Sequence, residues 1–358
     1  MGRHESVKKK KTSALKIIGI ILLILLVLIV ILAGIGIGYV YTKLGQINVE
    51  EIDETAIGIE EETQERLAKY RNIAIFGIDS RADGDYGIGN RSDCIIIASL
   101  NQETKDIKLL SVYRDTYLQM ESNKKQILDK AAHAYAYGGA QNAVKMLNTN
   151  LDLNITEYVT VNFDAVVDAV DAMGGITLDI DSSELKYIND YISATSSITG
   201  VKSKSITKTG KQTVDGVQAV AYSRIRYTAG GDFKRTERMR TVIEAMLAKA
   251  KTLSISQLNG LVNTMLPEDK QKQKISTNIK PTEILALVPS IASFNIDENI
   301  GWPYETRGTT TGTYYGVPVT LESNVEKLHK EVFEQSDYVV SETVKNISDK
   351  IVKKTGYK

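Results

Sequence analysis

The chain has 358 residues, with Lys+Arg and Asp+Glu both at 44, so its formal net charge is zero. That balance argues against a general nucleic-acid binder, which needs a basic excess to neutralise phosphates. One cysteine, Cys94, excludes an internal disulfide framework and a cysteine-based zinc cluster. Three scattered histidines, His4, His133 and His329, leave any metal chemistry to carboxylates, and therefore to hard ions such as Mg²⁺. The length fits one large domain or two moderate ones.

Residues 8–11 read KKKK, and residues 17–41 then run without one charge. A hydrocarbon core about 30 Å thick needs about 20 apolar residues, so 17–41 is predicted to be a transmembrane helix. The run is too long for a cleaved signal peptide, and no cysteine directly follows it to carry a lipid anchor. The basic tail, residues 1–16, marks the cytoplasmic side. The expected location is thus the cell membrane: single-pass, with the domain outside the cell, as in a Gram-positive-type envelope. Residues 42–69 are expected to form a juxtamembrane linker with one short helix.

NIAIFGID (72–79) reads as a buried strand, followed by the loop SRADGDYGIGNRSD. CIIIASLN (94–101) and DIKLLSVY (106–113) are apolar runs joined by QETK, a hairpin connection. YVTVNF (158–163) is another strand, after which Phe163, Val166, Val167 and Val170 follow helical spacing. Gly174 and Gly175 end that helix, and ITLDI starts a strand. GVQAVAYSR suits either a strand, placing Arg224 and Arg226 on one face, or a helix. Asp232 suits the N-cap of a helix carrying Met239, Val242, Ile243, Met246 and Leu247 on one side. A GTTTGTYYGVP loop and an amphipathic stretch (321–335) follow. Interleaved strands and helices predict an α/β or α+β sandwich.

Arginine is used sparingly: 12 against 32 lysines. Eight of those 12 fall in DSR, NRSD, YRDT and SRIRYTAGGDFKRTERMR, as Arg81, Arg91, Arg114, Arg224, Arg226, Arg235, Arg238 and Arg240. A planar guanidinium grips phosphate oxygens bidentately, and lysine does not. If the first three strands pair antiparallel, Asp79, Asp93 and Arg114 share one sheet edge with Arg81 and Arg91. A phosphate with Mg²⁺ satisfies both signs of charge there. Arg235 and Arg238 sit in the first turns of a helix, where cations oppose the dipole unless an anion is bound.

In order, FGIDSR, NRSDC, SVYRDTY, AHAYAYGG, VNFDAVVDAVDAMGG and AYSRIRYTAGGDFKRTERMR resemble the LytR–CpsA–Psr family of bacterial envelope proteins. That family usually has proline at Tyr113, threonine at Cys94, glycine at Lys234 and often glutamine at Met239. The resemblance implies an αβα sandwich with a mixed, largely antiparallel central sheet and an apolar tunnel for a polyprenyl tail. Residues 70–255 would be the catalytic domain, 256–340 its C-terminal part and 341–358 a tail. It also implies an enzyme, a polyisoprenyl-linked glycopolymer phosphotransferase. Such an enzyme moves a glycan-1-phosphate, of a wall teichoic acid or capsule type, from undecaprenyl pyrophosphate to the 6-hydroxyl of N-acetylmuramic acid in peptidoglycan.

Carried over residue by residue, Asp79 and Asp93 would hold Mg²⁺ or Mn²⁺, with Asp93 alternatively a base. Arg81, Arg114, Arg224 and Arg235 would grip the pyrophosphate, and Arg91, Arg226 and Arg238 would assist or hold the carboxylates. Tyr135, Tyr137, Gly138 and Gly139 would shape a helix end near the site, His133 would be structural, and Cys94 an inert buried thiol. Two other readings use the same residues: a polyprenyl-pyrophosphate hydrolase, and a non-catalytic lipid-binding envelope regulator. The 16-residue cytoplasmic tail is too short for a DNA-binding domain.

Overall fold

The computed structural model describes residues 48–80, 85–254, 257, 261, 275–279, 295–309 and 312–358. The basic tail, the predicted span 17–41 and Arg81 lie outside the described residues.

In chain order, β1 (Asn48–Val49) and the short helix α1 (Glu61–Arg66) lead into β2 (Tyr70–Ile78). The chain returns in β3 (Ser92–Asn101) and turns again into β4 (Asp106–Val112). A separate hairpin, β5 (Tyr117–Ser122) and β6 (Lys125–Lys130), feeds α2 (Ala131–Leu151). Next come β7 (Glu157–Val161), α3 (Phe163–Ala172), β8 (Ile176–Ile180), α4 (Ser182–Thr199), β9 (Gly210–Val214), α5 (Gly216–Arg224) and α6 (Gly231–Ala250). The C-terminal part contributes β10 (Ile275–Thr277), β11 (Asn295–Trp302), β12 (Thr306–Gly308), β13 (Gly316–Pro318), α7 (Leu321–Val332) and α8 (Glu342–Thr355).

Seven strands form the central sheet in the order β1-β10-β7-β2-β3-β4-β11. It is mixed, and its antiparallel ladders carry the larger share of the register, with β2, β3 and β4 antiparallel at the centre. β7 joins β2, and β11 joins β4, in parallel. The predicted hairpin pairing is present, and Ile78 lies opposite Ser92. That register brings the end of β2 and the start of β3 to one edge, where β4 also ends.

Burial alternates along β2, as a pleated strand requires. Ala74, Phe76 and Ile78 face a large core with Val144 and Leu147 of α2, Val325 and Leu328 of α7, and Val344 and Ile347 of α8. The other face of β2, at Ile75 and Gly77, looks toward α3, α5 and α6. Those helices and α4 form a second apolar cluster around Val167, Val170, Ile192, Val217 and Val242. Helices thus cover both faces of the sheet, an αβα arrangement.

Two segments differ from the sequence reading. Residues 341–358 are no tail, because α8 buries Val344, Ile347 and Ile351 completely or nearly so. Each such side chain contributes about 1.5–3 kcal/mol. Residues 48–69 are no free linker: β1 pairs with β10, and Ile57 and Leu67 are fully buried. Both segments hold enough apolar residues to join a core, but the composition is too mixed to announce it.

Local signals explain the site-bearing helices. Asn162 caps α3 through Ala165 N at 2.9 Å, and Gly174 and Gly175 take positive φ just beyond its end. Asp215 with Gln218 forms a capping box that starts α5, so GVQAVAYSR is a helix. The cap of α6 is Gly230, in the left-handed region, which glycine occupies without steric cost; Asp232 lies inside the first turn instead.

A candidate anion site joined to an apolar tunnel

The edge where β2 ends and β3 begins opens into a cavity of about 570 Å³. Asp79, Arg91, Asp93, Arg114, Arg224, Arg226 and Arg235 all line it. Five arginines therefore meet two carboxylates among the described residues. β2 and β3 place the two aspartates, and the end of β4 places Arg114. Helix α5 stops at Arg224 and Ile225 turns the chain outward, so Arg226 reaches the same cavity from the following loop. A continued helix would have sent these two side chains apart.

Asp93 is the organiser. One oxygen accepts a hydrogen bond from Arg114 Nη1 at 2.6 Å, and the other lies 3.8 Å from Arg226 Nη2 and 4.0 Å from Arg235 Nη1. Arg235 is only 2% exposed. Arg114 Nε is buried with no hydrogen-bond partner among the described residues. Arg224 donates to Thr195 Oγ1 at 2.9 Å and lies over the Phe163 ring at 4.9 Å. Burial pushes its guanidinium pKa down, so the cation gains from an added negative charge. Buried cations in excess of their carboxylates are costly unless an anion joins them. The arrangement is built for a phosphate-type ligand.

Asp93, Phe163 and Met239 also line a second cavity of about 320 Å³, so the two spaces share a wall. Its remaining lining is almost wholly apolar: Ile75, Cys94, Val161, Val166, Ala169 and Met173 on one side, Val242, Ile243, Met246 and Leu247 of α6 on the other. Met239, where the family often has glutamine, continues that apolar surface to the anion site. Cys94 sits in the tunnel wall, and burial raises its thiol to about 12, which keeps it protonated.

Arg238 does not line this cavity. Its Nε donates to Glu184 Oε1 at 2.8 Å, Nη1 to Ile225 O at 3.1 Å and Nη2 to Thr228 Oγ1 at 2.7 Å. Glu184 also completes the capping box of α4. Arg238 therefore fixes the loop that carries Arg226, a structural task rather than a phosphate contact. The two side chains are 5% and 7% exposed. Removing one partner of such a pair strands the other charge, so Arg238→Ala is expected to cost about 3–5 kcal/mol in a denaturant titration.

The AYAYGG segment does shape a helix end: Gly138 and Gly139 leave helical geometry and kink α2, so its first stretch stops there. Tyr135 is buried and donates to Tyr86 O at 2.8 Å. His133 Nδ1 and Tyr137 Oη both meet Asp129 Oδ2, at 2.9 and 2.6 Å. Burial pushes the Asp129 carboxyl up, but the hydrogen bonds from Tyr137 and His133 outweigh it and hold its pKa below the usual value. Tyr191, Tyr227, Phe163 and Asn90 line the anion cavity without having been singled out in the sequence.

Among the described residues no group of three or more His, Cys, Asp or Glu converges as a metal cage. Asp79 and Asp93 nonetheless suit Mg²⁺, which takes one or two carboxylates and completes its shell with phosphate oxygens and water. They do not suit zinc.

In this αβα protein an arginine-lined cavity shares a wall with an apolar one, a combination that suits a ligand with an anionic head and a hydrocarbon tail. The chain belongs to the LytR_cpsA_psr family, which it matches over residues 39–331. It is 30% identical over 312 residues to the polyisoprenyl-teichoic acid–peptidoglycan teichoic acid transferase TagT of Bacillus subtilis, covering 84% of this chain and 90% of TagT. It is 33% identical over 280 residues to the transferase TagU of Enterococcus faecalis, covering 75% and 80% respectively. The fold is shared with the solved structure of the LytR-CPS2A-psr family protein YwtF (TagT) with bound octaprenyl pyrophosphate lipid. That match has a TM-score of 0.51 and 22% identity, covering 81% of this chain and 92% of the other.

Proposed function

We propose that this chain is a membrane-anchored phosphotransferase. It moves a glycan-1-phosphate, of a wall teichoic acid or capsule type, from undecaprenyl pyrophosphate to the 6-hydroxyl of N-acetylmuramic acid in peptidoglycan. The observation that carries this reading is the shared wall between five arginines and an apolar tunnel. A headgroup with two phosphates and a hydrocarbon tail fits both spaces at once. The relatives named as teichoic acid transferases, and the octaprenyl pyrophosphate held by TagT, support the same ligand class.

Arg114, Arg224 and Arg235 grip the phosphates and Arg91 and Arg226 assist; Arg81, outside the described residues, joins this set only by the motif FGIDSR. Substitution at phosphorus needs positioning and charge neutralisation more than a covalent nucleophile. Mg²⁺ or Mn²⁺ held by Asp79 and Asp93 would supply further neutralisation when bound. Asp93 meanwhile keeps Arg114 in its working orientation.

The test is mass spectrometry of protein extracted in mild detergent without lipid stripping. A co-purified polyprenyl phosphate or pyrophosphate is expected; folded protein carrying no such lipid, and binding none when it is added, would defeat the reading. Residues 17–41 anchor the enzyme beside its lipid substrate in this scheme. Protease added to intact protoplasts is therefore expected to degrade the domain, and full protection would place it on the wrong side.

A further inference from the structure

A second opening flanks the arginines on the side away from the tunnel. It is a groove of about 530 Å³ lined by Tyr113, Phe233, Pro303, Tyr304, Thr306 and Arg307. A small recess continues it past Asp115 and Tyr314. Phe233 and Tyr314 are 43% and 48% exposed, so both rings are open to a ligand. Tyr113 and Phe233 meet edge to face at 4.5 Å, which fixes one wall. The Oγ1 of Thr306 is buried and has no hydrogen-bond partner among the described residues. Glu305 and Arg307 are exposed at the rim. Exposed aromatic rings beside the charged rim residues Glu305 and Arg307 suit a pyranose, whose ring faces are apolar and whose edge is hydroxyls.

We infer that this groove binds the acceptor glycan, a strand of N-acetylhexosamine units. The inference rests on the transfer reading above and names where its second substrate lies. Strand order carries it. The tunnel takes its sheet residues from β7, β2 and β3, whereas the groove takes its own from the ends of β4 and β11. In the order β7-β2-β3-β4-β11, Asp93 lies at the start of β3 and Arg114 just past the end of β4, where the tunnel's strands meet the groove's. Displacement at phosphorus runs with attacking and leaving oxygens roughly in line. The acceptor oxygen bonds to the glycan-bearing phosphorus, the bridging P–O bond breaks, polyprenyl phosphate leaves with the electron pair, and the hydroxyl proton passes to water. With the leaving group on the tunnel side, the acceptor enters from the β4–β11 side. Tyr113 directly precedes Arg114, and Phe233 stands two residues before Arg235 in α6, so the groove opens at the same sheet edge as the clamp.

The probe is N-acetylated chitotetraose with full-length protein in detergent, read by saturation-transfer NMR. A second arm measures transfer and hydrolysis of a synthetic polyprenyl-pyrophosphoryl sugar, with soluble peptidoglycan glycan as acceptor. Tyr314→Ala and Phe233→Ala are each expected to weaken chitotetraose binding and raise the acceptor KM about tenfold, the loss typical of truncating a contacted aromatic. Donor KM and the rate of hydrolysis should stay unchanged. Wild-type protein that binds no chitotetraose, or variants that bind it as wild type does, would overturn the assignment. So would a rise in donor KM, which would give the groove to the donor glycan. Absence of both transfer and hydrolysis in wild type would count against the transfer reading alone, because the NMR arm does not depend on turnover.

Discussion

Asp93→Ala is expected to abolish transfer, by about 10³-fold or more, while leaving the protein folded. Two consequences of the geometry combine. Asp93 fixes Arg114 through the 2.6 Å contact and faces Arg226 and Arg235 with its other oxygen. Loss of one preorganised electrostatic group typically costs about 10²–10³ in rate, and here several groups lose their reference point together. Its removal takes a counter-charge from Arg235, which is 2% exposed, so circular dichroism alongside the assay checks that the variant is folded. The same assay in EDTA, and after Mg²⁺ is restored, separates the two tasks given to this carboxylate. Activity should fall in EDTA and return with Mg²⁺. Turnover unchanged by EDTA would leave the arginines as the whole mechanism, and turnover retained in Asp93→Ala would remove Asp93 from the site.

Arg114→Lys is expected to lose about 10²-fold or more in turnover although the charge is kept. Arg114 uses Nη1 on Asp93 while Nε is buried, with no hydrogen-bond partner among the described residues. One planar fork thus holds Asp93 through Nη1 and keeps Nε 3.8 Å from Asp115 Oδ1, while the group as a whole still lines the anion cavity. An ammonium is a single point on a flexible stem and cannot do both. Near-wild-type turnover in the lysine variant, with melting behaviour unchanged, would reduce Arg114 to an ordinary surface cation.

How much of this was legible in the sequence follows from the range of the signals. The hairpin of two apolar runs is local, so the convergence of Asp79, Asp93 and Arg114 could be read from strand order alone. Sparing use of arginine pointed to Arg91, Arg224, Arg226 and Arg235, which line one cavity. Arg238 shared their motif but not their task, because its partner Glu184 lies 54 residues away. No periodicity reports a contact of that kind. The parallel edge strand β11 and helix α8 join the core through long-range packing, so composition marked one weakly and the other not at all. The groove was hidden for the same reason: Tyr113, Phe233 and Tyr314 come from three distant segments, and each alone is one more aromatic residue.

The chain has a single tryptophan, Trp302. It ends β11, is fully buried, and its indole donates to Asn324 O at 3.2 Å. Its own carbonyl accepts from Tyr113 N at 2.9 Å, one residue from Arg114. One fluorophore therefore sits where the sheet, α7 and the backbone of the arginine clamp meet. Its emission should be blue-shifted in the native protein and move to longer wavelength when this junction opens. An inactive variant with unaltered emission has lost chemistry; one with shifted emission has lost the strand end that aims the clamp. The molecule thus carries an intrinsic optical control for the substitutions proposed above.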